Sequence, residues 1–102
     1  MSERHRLDSL IAPRSIVMLG ASERNHYAQL AMRAIDRIGF EGELHLVNRK
    51  GTEAFGRPAA TSCGALGAEV ECAYLCLPSG AVLDAAEEAI EAGIRNLVIV
   101  SS

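Results

Sequence analysis

Apolar runs of four to six residues recur along this chain, and each ends in a small or polar residue. The run SIVMLG, residues 15–20, is continuous, rich in branched side chains and ends in glycine, a pattern typical of a parallel strand buried on both faces. Similar runs occupy residues 43–48, 72–78 and 95–100. The pattern therefore predicts four main strands.

Two segments between these runs follow the helical period instead. Residues 26–38 and 79–92 each place apolar side chains on one face and end at a glycine, Gly39 or Gly93. The apolar faces comprise Leu30, Ala31, Ala34, Ile35 and Ile38 in the first helix and Val82, Ala85, Ala86, Ala89 and Ile90 in the second. Glu87, Glu88 and Glu91 are expected on a solvated face. A short helix is also predicted at Leu7, Leu10 and Ile11, ahead of Pro13.

The order strand, helix, strand, loop, strand, helix, strand predicts a Rossmann-like three-layer α/β/α fold with a parallel sheet. The glycine- and alanine-rich segment 49–70 is expected to be mostly loop, with a short extended piece near Pro58 and a turn or two of helix at 62–66. A chain that stops after the fourth main strand leaves that strand's outer edge uncovered. We therefore expect residues 1–102 to be one domain from the N-terminal part of a larger protein, with downstream domains or another subunit covering the edge.

Composition narrows the classes of partner. The chain has 102 residues, 49% of them hydrophobic, and a net charge of -3, which suits one domain and gives no general attraction for nucleic acid or an anionic membrane. No apolar run is long enough to span a bilayer and no secretory signal is evident, so a cytoplasmic location is expected.

The three cysteines lack metal-ligand spacing and are expected to be reduced core residues. No metal site is predicted.

Candidate ligand-binding residues follow the first strand. Gly20 would let the backbone approach a phosphate, while Ser22, Arg24 and Asn25 offer donors at a helix N-terminus. The segment has one glycine where the dinucleotide fingerprint has three. A plain strand-to-helix turn capped by Ser22 or Asn25 is the alternative interpretation.

The end of the second strand carries Asn48, Arg49 and Lys50. An NAD site would place a carboxylate there, whereas two cations suit a phosphate on the ribose or a diphosphate. NADP and coenzyme A both carry such groups, and a solvated basic loop is the alternative. Ser79 and Ser101, at the ends of the third and fourth main strands, complete the rim, although Ser79 could instead cap a helix.

The segments LGASERN, LVNRK, LCLPSGAV and EAGIRNLVIVSS, with LDSLIAPRSI before them, resemble the N-terminal coenzyme A-binding domain of NDP-forming acyl-CoA synthetases. This group includes ADP-forming acetate-CoA ligase and is related to the succinyl-CoA synthetase alpha subunit. The resemblance spans nearly the whole chain and implies that coenzyme A lies along the rim. It implies contacts from Ser22 to Asn25, from Lys50 or Arg49, from Pro78 and Ser79, and from Val100, Ser101 and Ser102.

The chain departs from the family pattern in two places. Proline and glycine usually follow the G-A-S-acid segment, with another glycine soon after, where this chain has Asn25, His26 and Gln29. The family often has V-N-P where this chain has V-N-R. In the family a phosphorylated histidine and an ATP-grasp module carry the reaction, and no histidine here matches that position. ATP or ADP and magnesium are expected only in the parent enzyme, and no catalytic residue is predicted in this chain.

The favoured hypothesis is therefore a coenzyme A-binding domain of an acyl-CoA synthetase that does not catalyse on its own. Two alternatives stay open on the sequence. One is a coenzyme A- or nucleotide-sensing regulatory module fused to an acetyltransferase. The other is the NADP-binding domain of an oxidoreductase, favoured by Arg49 and Lys50 and disfavoured by the sparse glycines.

Overall fold

A computed structural model of the protein describes residues 13–100, and the predicted N-terminal helix lies outside them. The described chain forms one parallel sheet of five strands in the order β3-β2-β1-β4-β5. Two α-helices connect its strands. The elements are β1 (Ser15–Leu19), α1 (His26–Arg37), β2 (Glu43–Val47), β3 (Ala59–Ala60), β4 (Cys72–Leu75), α2 (Ser79–Glu91) and β5 (Asn96–Ile99). The Rossmann-like α/β fold predicted from the sequence is confirmed.

Strand β1 lies at the centre of the sheet and all five of its residues are buried. It pairs with β2 on one side, Ser15 opposite Glu43, and with β4 on the other, Ile16 opposite Cys72. Successive side chains point to opposite faces of a strand. Accordingly, Ile16 and Met18 pack with α1, while Val17 and Leu19 pack with α2. An apolar layer on each face explains why the sequence run has no polar alternation.

The two helices bury narrower stripes than their sequence pattern predicts. Helix α1 buries Ala28, Ala31 and Ile35, and α2 buries Ala85 and Ala89. Four of these five buried residues are alanines, whose short side chains cover little width, and apolar side chains beside them remain outside the core. The apolar faces that the sequence marks therefore include residues outside the core: Ala34 is exposed, and Leu30, Ile38 and Ile90 are 41%, 60% and 59% exposed.

The connection between β2 and β4 has the two features expected of it. The short extended piece after Pro58 is β3, which pairs in parallel with the end of β2. A single 3-10 helix, Cys63–Leu66, follows, with Ser62 Oγ accepting from the Ala65 N–H. Glu88 corrects one expectation, because its carboxylate accepts a 2.8 Å hydrogen bond from the Cys63 N–H and is not merely solvated.

Cys63, Cys72 and Cys76 are buried free thiols, as the sequence predicts. Burial raises the pKa of Cys72 to about 11 and that of Cys76 to about 12. Burial together with the Glu88 carboxylate raises the pKa of Cys63 to about 12. These thiols are therefore protonated at neutral pH and serve as core residues.

Strand β5 is the outer strand beyond β4, and Ile99 near its end is 59% exposed. Within residues 13–100 no helix is long and apolar enough to cross a membrane. The same part of the chain holds no cluster of three potential metal ligands.

Candidate functional site at the carboxyl ends of the strands

An open cleft of about 580 Å³ lies between the loop after β1 and the loop after β2. Because these strands are parallel neighbours, their carboxyl ends meet at one edge of the sheet. Five of the predicted site residues line the cleft: Ser22, Arg24, Asn48, Arg49 and Lys50. The structure therefore brings together the polar residues that follow the first two strands, as the sequence predicts. That these residues contact a ligand stays a prediction.

Gly20 does not line the cleft, and its structural requirement is local. Its φ is +83°, and an added Cβ would overlap the carbonyl oxygen of Cys76 and lie 2.8 Å from Leu77 Cδ2. The N–H groups of Gly20 and Ala21 both donate to the Val47 carbonyl, at 3.0 and 3.1 Å. A glycine is thus needed here because the segment just after β4 comes so close, whether or not a phosphate is bound.

Asn25 holds the first loop in place. Its Nδ2 donates to the carbonyls of Gly20 at 2.8 Å and Cys76 at 2.6 Å. Its Oδ1 accepts from the Tyr27 N–H at 3.0 Å, which makes Asn25 the N-cap of α1. Both amide hydrogens are therefore engaged with backbone. Asn25 can shape the site through the loop more readily than it can donate to a ligand.

Asn48 has the corresponding position after β2. Its Nδ2 donates to the carbonyl of Ala21 at 3.0 Å and to that of Thr52 at 2.6 Å, while its Oδ1 accepts from the Thr52 N–H. The first of these hydrogen bonds joins the two loops, and both of its residues line the cleft. The others close the tight turn on which Arg49 and Lys50 are exposed. Asn48 thus positions the two cations.

Three cations and two carboxylates line the cleft. Arg24 comes from the first loop, and Arg49 and Lys50 come from the second. Glu23 and Glu53 also line it, together with Ala21, Thr52 and Ala54. Glu23 lies within the range Ser22 to Asn25 that the resemblance implied, whereas sequence reasoning did not single out the other four. Glu53 could have been suspected from its position shortly after Lys50. The excess of cations makes the cleft locally positive in a chain whose net charge is -3.

The remaining predicted residues lie outside the cleft lining. Pro78 is the N-cap residue of α2 and no side chain caps that helix, so Ser79 does not have the capping role that the sequence allowed. Both residues are exposed just beyond β4. The Val100 N–H donates to the Leu75 carbonyl at 3.0 Å, which continues the pairing of β4 with β5 at this edge of the sheet. Ser101 and Ser102 lie outside the described residues.

Comparison with known proteins identifies related sequences. The family model described as "CoA binding domain" matches residues 14–102. A trans-feruloyl-CoA synthase from an unknown prokaryotic organism is 27% identical over 97 residues, which are 94% of this chain and 14% of that protein. The chain thus spans a small part of this curated relative.

Solved structures with the same fold include both long and short chains. A dinucleotide-forming acetyl-coenzyme A synthetase from Ca. Korarchaeum cryptofilum, in complex with phosphate and ADP, superposes with a TM-score of 0.82 at 25% identity. The match covers 94% of this chain and 21% of that one. A conserved hypothetical protein from Pyrococcus furiosus matches with a TM-score of 0.69 at 29% identity, over 84% of this chain and 73% of that one.

Proposed function

The chain belongs to the CoA-binding domain family, and we propose that it binds coenzyme A in the cleft between the loops after β1 and β2. Three exposed cations that converge on this cleft are the observation that carries the proposal. Coenzyme A bears a diphosphate and a ribose phosphate, so a locally positive site in an otherwise acidic chain suits it. Contacts from Pro78, Ser79 and the segment after β5 belong to the same proposal.

We assign two roles to the residues around the cleft: some position the loops, and others would contact the ligand. Asn25 and Asn48 fix the two loops through backbone carbonyls. Arg24, Arg49 and Lys50 would then supply charge to the phosphates, and the Ser22 hydroxyl would supply a further hydrogen bond. Such an arrangement binds and orients a coenzyme without forming or breaking a bond.

We propose further that the chain is the coenzyme A-binding part of an NDP-forming acyl-CoA synthetase. The names of the synthase and the synthetase reported above support this, as does the small share of each that the chain spans. In such an enzyme, other domains would supply the phosphorylated histidine and bind ATP or ADP with magnesium. The regulatory-module and NADP alternatives lack a comparable relative among these proteins.

Calorimetric titration of the chain with coenzyme A, dephospho-coenzyme A, NADP and NAD tests the proposal. We expect coenzyme A to bind most tightly. Tighter binding of NADP than of coenzyme A would contradict the proposed ligand.

The Lys50→Ala variant tests whether the loop after β2 binds the ribose phosphate of coenzyme A. A lost charge-assisted hydrogen bond weakens coenzyme A binding by about tenfold, while binding of dephospho-coenzyme A should change little. Arg33→Ala, which removes an exposed cation of α1 outside the cleft lining, is the matched control. Equal losses for the two ligands would show that Lys50 does not recognise this phosphate.

A further inference from the structure

The negative charge of Glu23 is unfavourable in a cleft proposed to bind a polyanion. Glu23 lines the cleft and is exposed. Its charge should repel a phosphate, although solvent screens the repulsion. Glu53 lines the same cleft with the same charge. The two carboxylates differ in what they contact, and this difference indicates a role for Glu23.

Glu23 reaches across the cleft to the other loop. Its Oε1 accepts from the Phe55 N–H at 3.0 Å, and its own carbonyl accepts from Gln29 Nε2 at 2.5 Å. The second bond ties the backbone of the first loop to α1. Together, the two bonds link α1, the first loop and the segment around Phe55. Among the described residues, Glu53 makes no hydrogen bond across the cleft.

Phe55 lies in a tight turn whose first residue, Ala54, lines the cleft. The Ala54 and Arg57 backbones exchange hydrogen bonds of 3.0 and 2.9 Å. Phe55 and Gly56 between them have φ angles of +52° and +71°, as the central residues of a type I′ turn require. A phenylalanine rarely adopts this left-handed conformation. Its ring packs against the core on the α1 side, and Glu23 holds its N–H.

We propose that Glu23 is a positioning residue that fixes the width of the cleft. Asn48 joins the two loops through the carbonyl of the buried Ala21, and Glu23 joins them a second time through the Phe55 N–H. This inference rests on the proposed binding of coenzyme A. A cleft already held at its binding width avoids the entropic cost of ordering the turn when the ligand arrives. We expect that benefit to exceed the repulsion from a screened, exposed carboxylate.

Three variants separate geometry from charge. Glu23→Ala removes both the charge and the acceptor, Glu23→Gln removes the charge but keeps an acceptor, and Glu53→Ala removes only a charge. If Glu23 acted through charge alone, all three would bind coenzyme A more tightly. We expect Glu23→Ala to bind about fivefold more weakly than wild type, an effect the size of one lost hydrogen bond. The other two should bind as tightly as wild type or up to about threefold more tightly.

Hydrogen exchange of the Phe55 amide provides a readout that needs no ligand. We expect the amide to be protected in wild type and Glu53→Ala and to exchange faster in Glu23→Ala. Binding by Glu23→Ala as tight as that by Glu53→Ala would overturn the positioning role, as would unchanged Phe55 exchange. If wild type fails to bind coenzyme A, the proposed function fails, and the exchange measurement alone decides whether Glu23 holds the turn.

Discussion

Replacement of Asn25 tests how the loop after β1 is held. Asn25→Ala removes the N-cap of α1 and leaves the carbonyls of Gly20 and Cys76 without their amide donor. A lost cap costs about 1 kcal/mol, and each lost hydrogen bond at a partly buried carbonyl costs about 1 kcal/mol. We therefore expect the free energy of unfolding to fall by about 3 kcal/mol, a large part of the stability of a domain of this size.

Asn25→Asp separates the cap from the amide donor. Aspartate is as good an N-cap as asparagine, but its carboxylate would face the same two carbonyl oxygens with no hydrogen to donate. We expect Asn25→Asp to destabilise the chain at least as much as Asn25→Ala at neutral pH.

Urea unfolding followed by circular dichroism measures both effects. With an m-value of about 1.5 kcal/mol per M, a loss of about 3 kcal/mol lowers the midpoint by about 2 M. If the Asp variant unfolds within about 0.5 kcal/mol of wild type, which is the usual range of a neutral surface change, the cap alone matters. The hydrogen bond from Asn25 to the Cys76 carbonyl would then contribute nothing measurable to stability.

Three other predictions concern the core and the loops. Gly20→Ala should lower the free energy of unfolding by about 2 to 4 kcal/mol in the same assay, because the methyl group overlaps the Cys76 carbonyl at a positive φ; an unchanged midpoint would contradict the close approach. Glu88→Ala should cost about 1 to 2 kcal/mol through loss of the Cys63 N–H acceptor, and Glu87→Ala, its exposed neighbour, less than about 0.5 kcal/mol. The raised pKa values of Cys63 and Cys76, both about 12 against an ordinary 9.0, mean that folding favours the protonated thiols. Their stabilisation is complete below pH 9 and declines from there toward pH 12; urea midpoints measured across this range should fall less steeply in Cys76→Ala, and an equal slope would refute the assignment.

The sheet could be predicted from the sequence because its signals are local. Strand β1 is buried on both faces, so an uninterrupted apolar run marks it without reference to its neighbours. Even β3, only two residues long, follows Pro58 where an extended piece was expected. The width of the buried face of each helix was harder to predict from the sequence. Ile90 fits the apolar period, yet the width of the buried stripe depends on how closely α2 approaches the sheet.

The candidate site was only partly predictable because its geometry depends on distant partners. The sequence places Asn25 and Asn48 at the rim as possible ligand donors. Their amides instead bind the backbone of Cys76 and Ala21, 51 and 27 positions away along the chain. The link from Glu23 to Phe55 spans 32 positions. Residue type and spacing indicate that polar groups gather at this edge, but not which of them face the cleft and which hold it open.

The departures from the family pattern gain a physical explanation from these contacts. Proline and glycine, usual after the G-A-S-acid segment, shape a loop through the φ angles they require or permit. This chain has Asn25 and Gln29 in that region, and their side-chain amides donate to the carbonyls of Gly20, Cys76 and Glu23. Hydrogen bonds from side chains thus hold the loop that restricted backbone angles would otherwise hold. Because these amide donors already bind the protein's own backbone, the proposed recognition of coenzyme A depends on the exposed cations of the two loops.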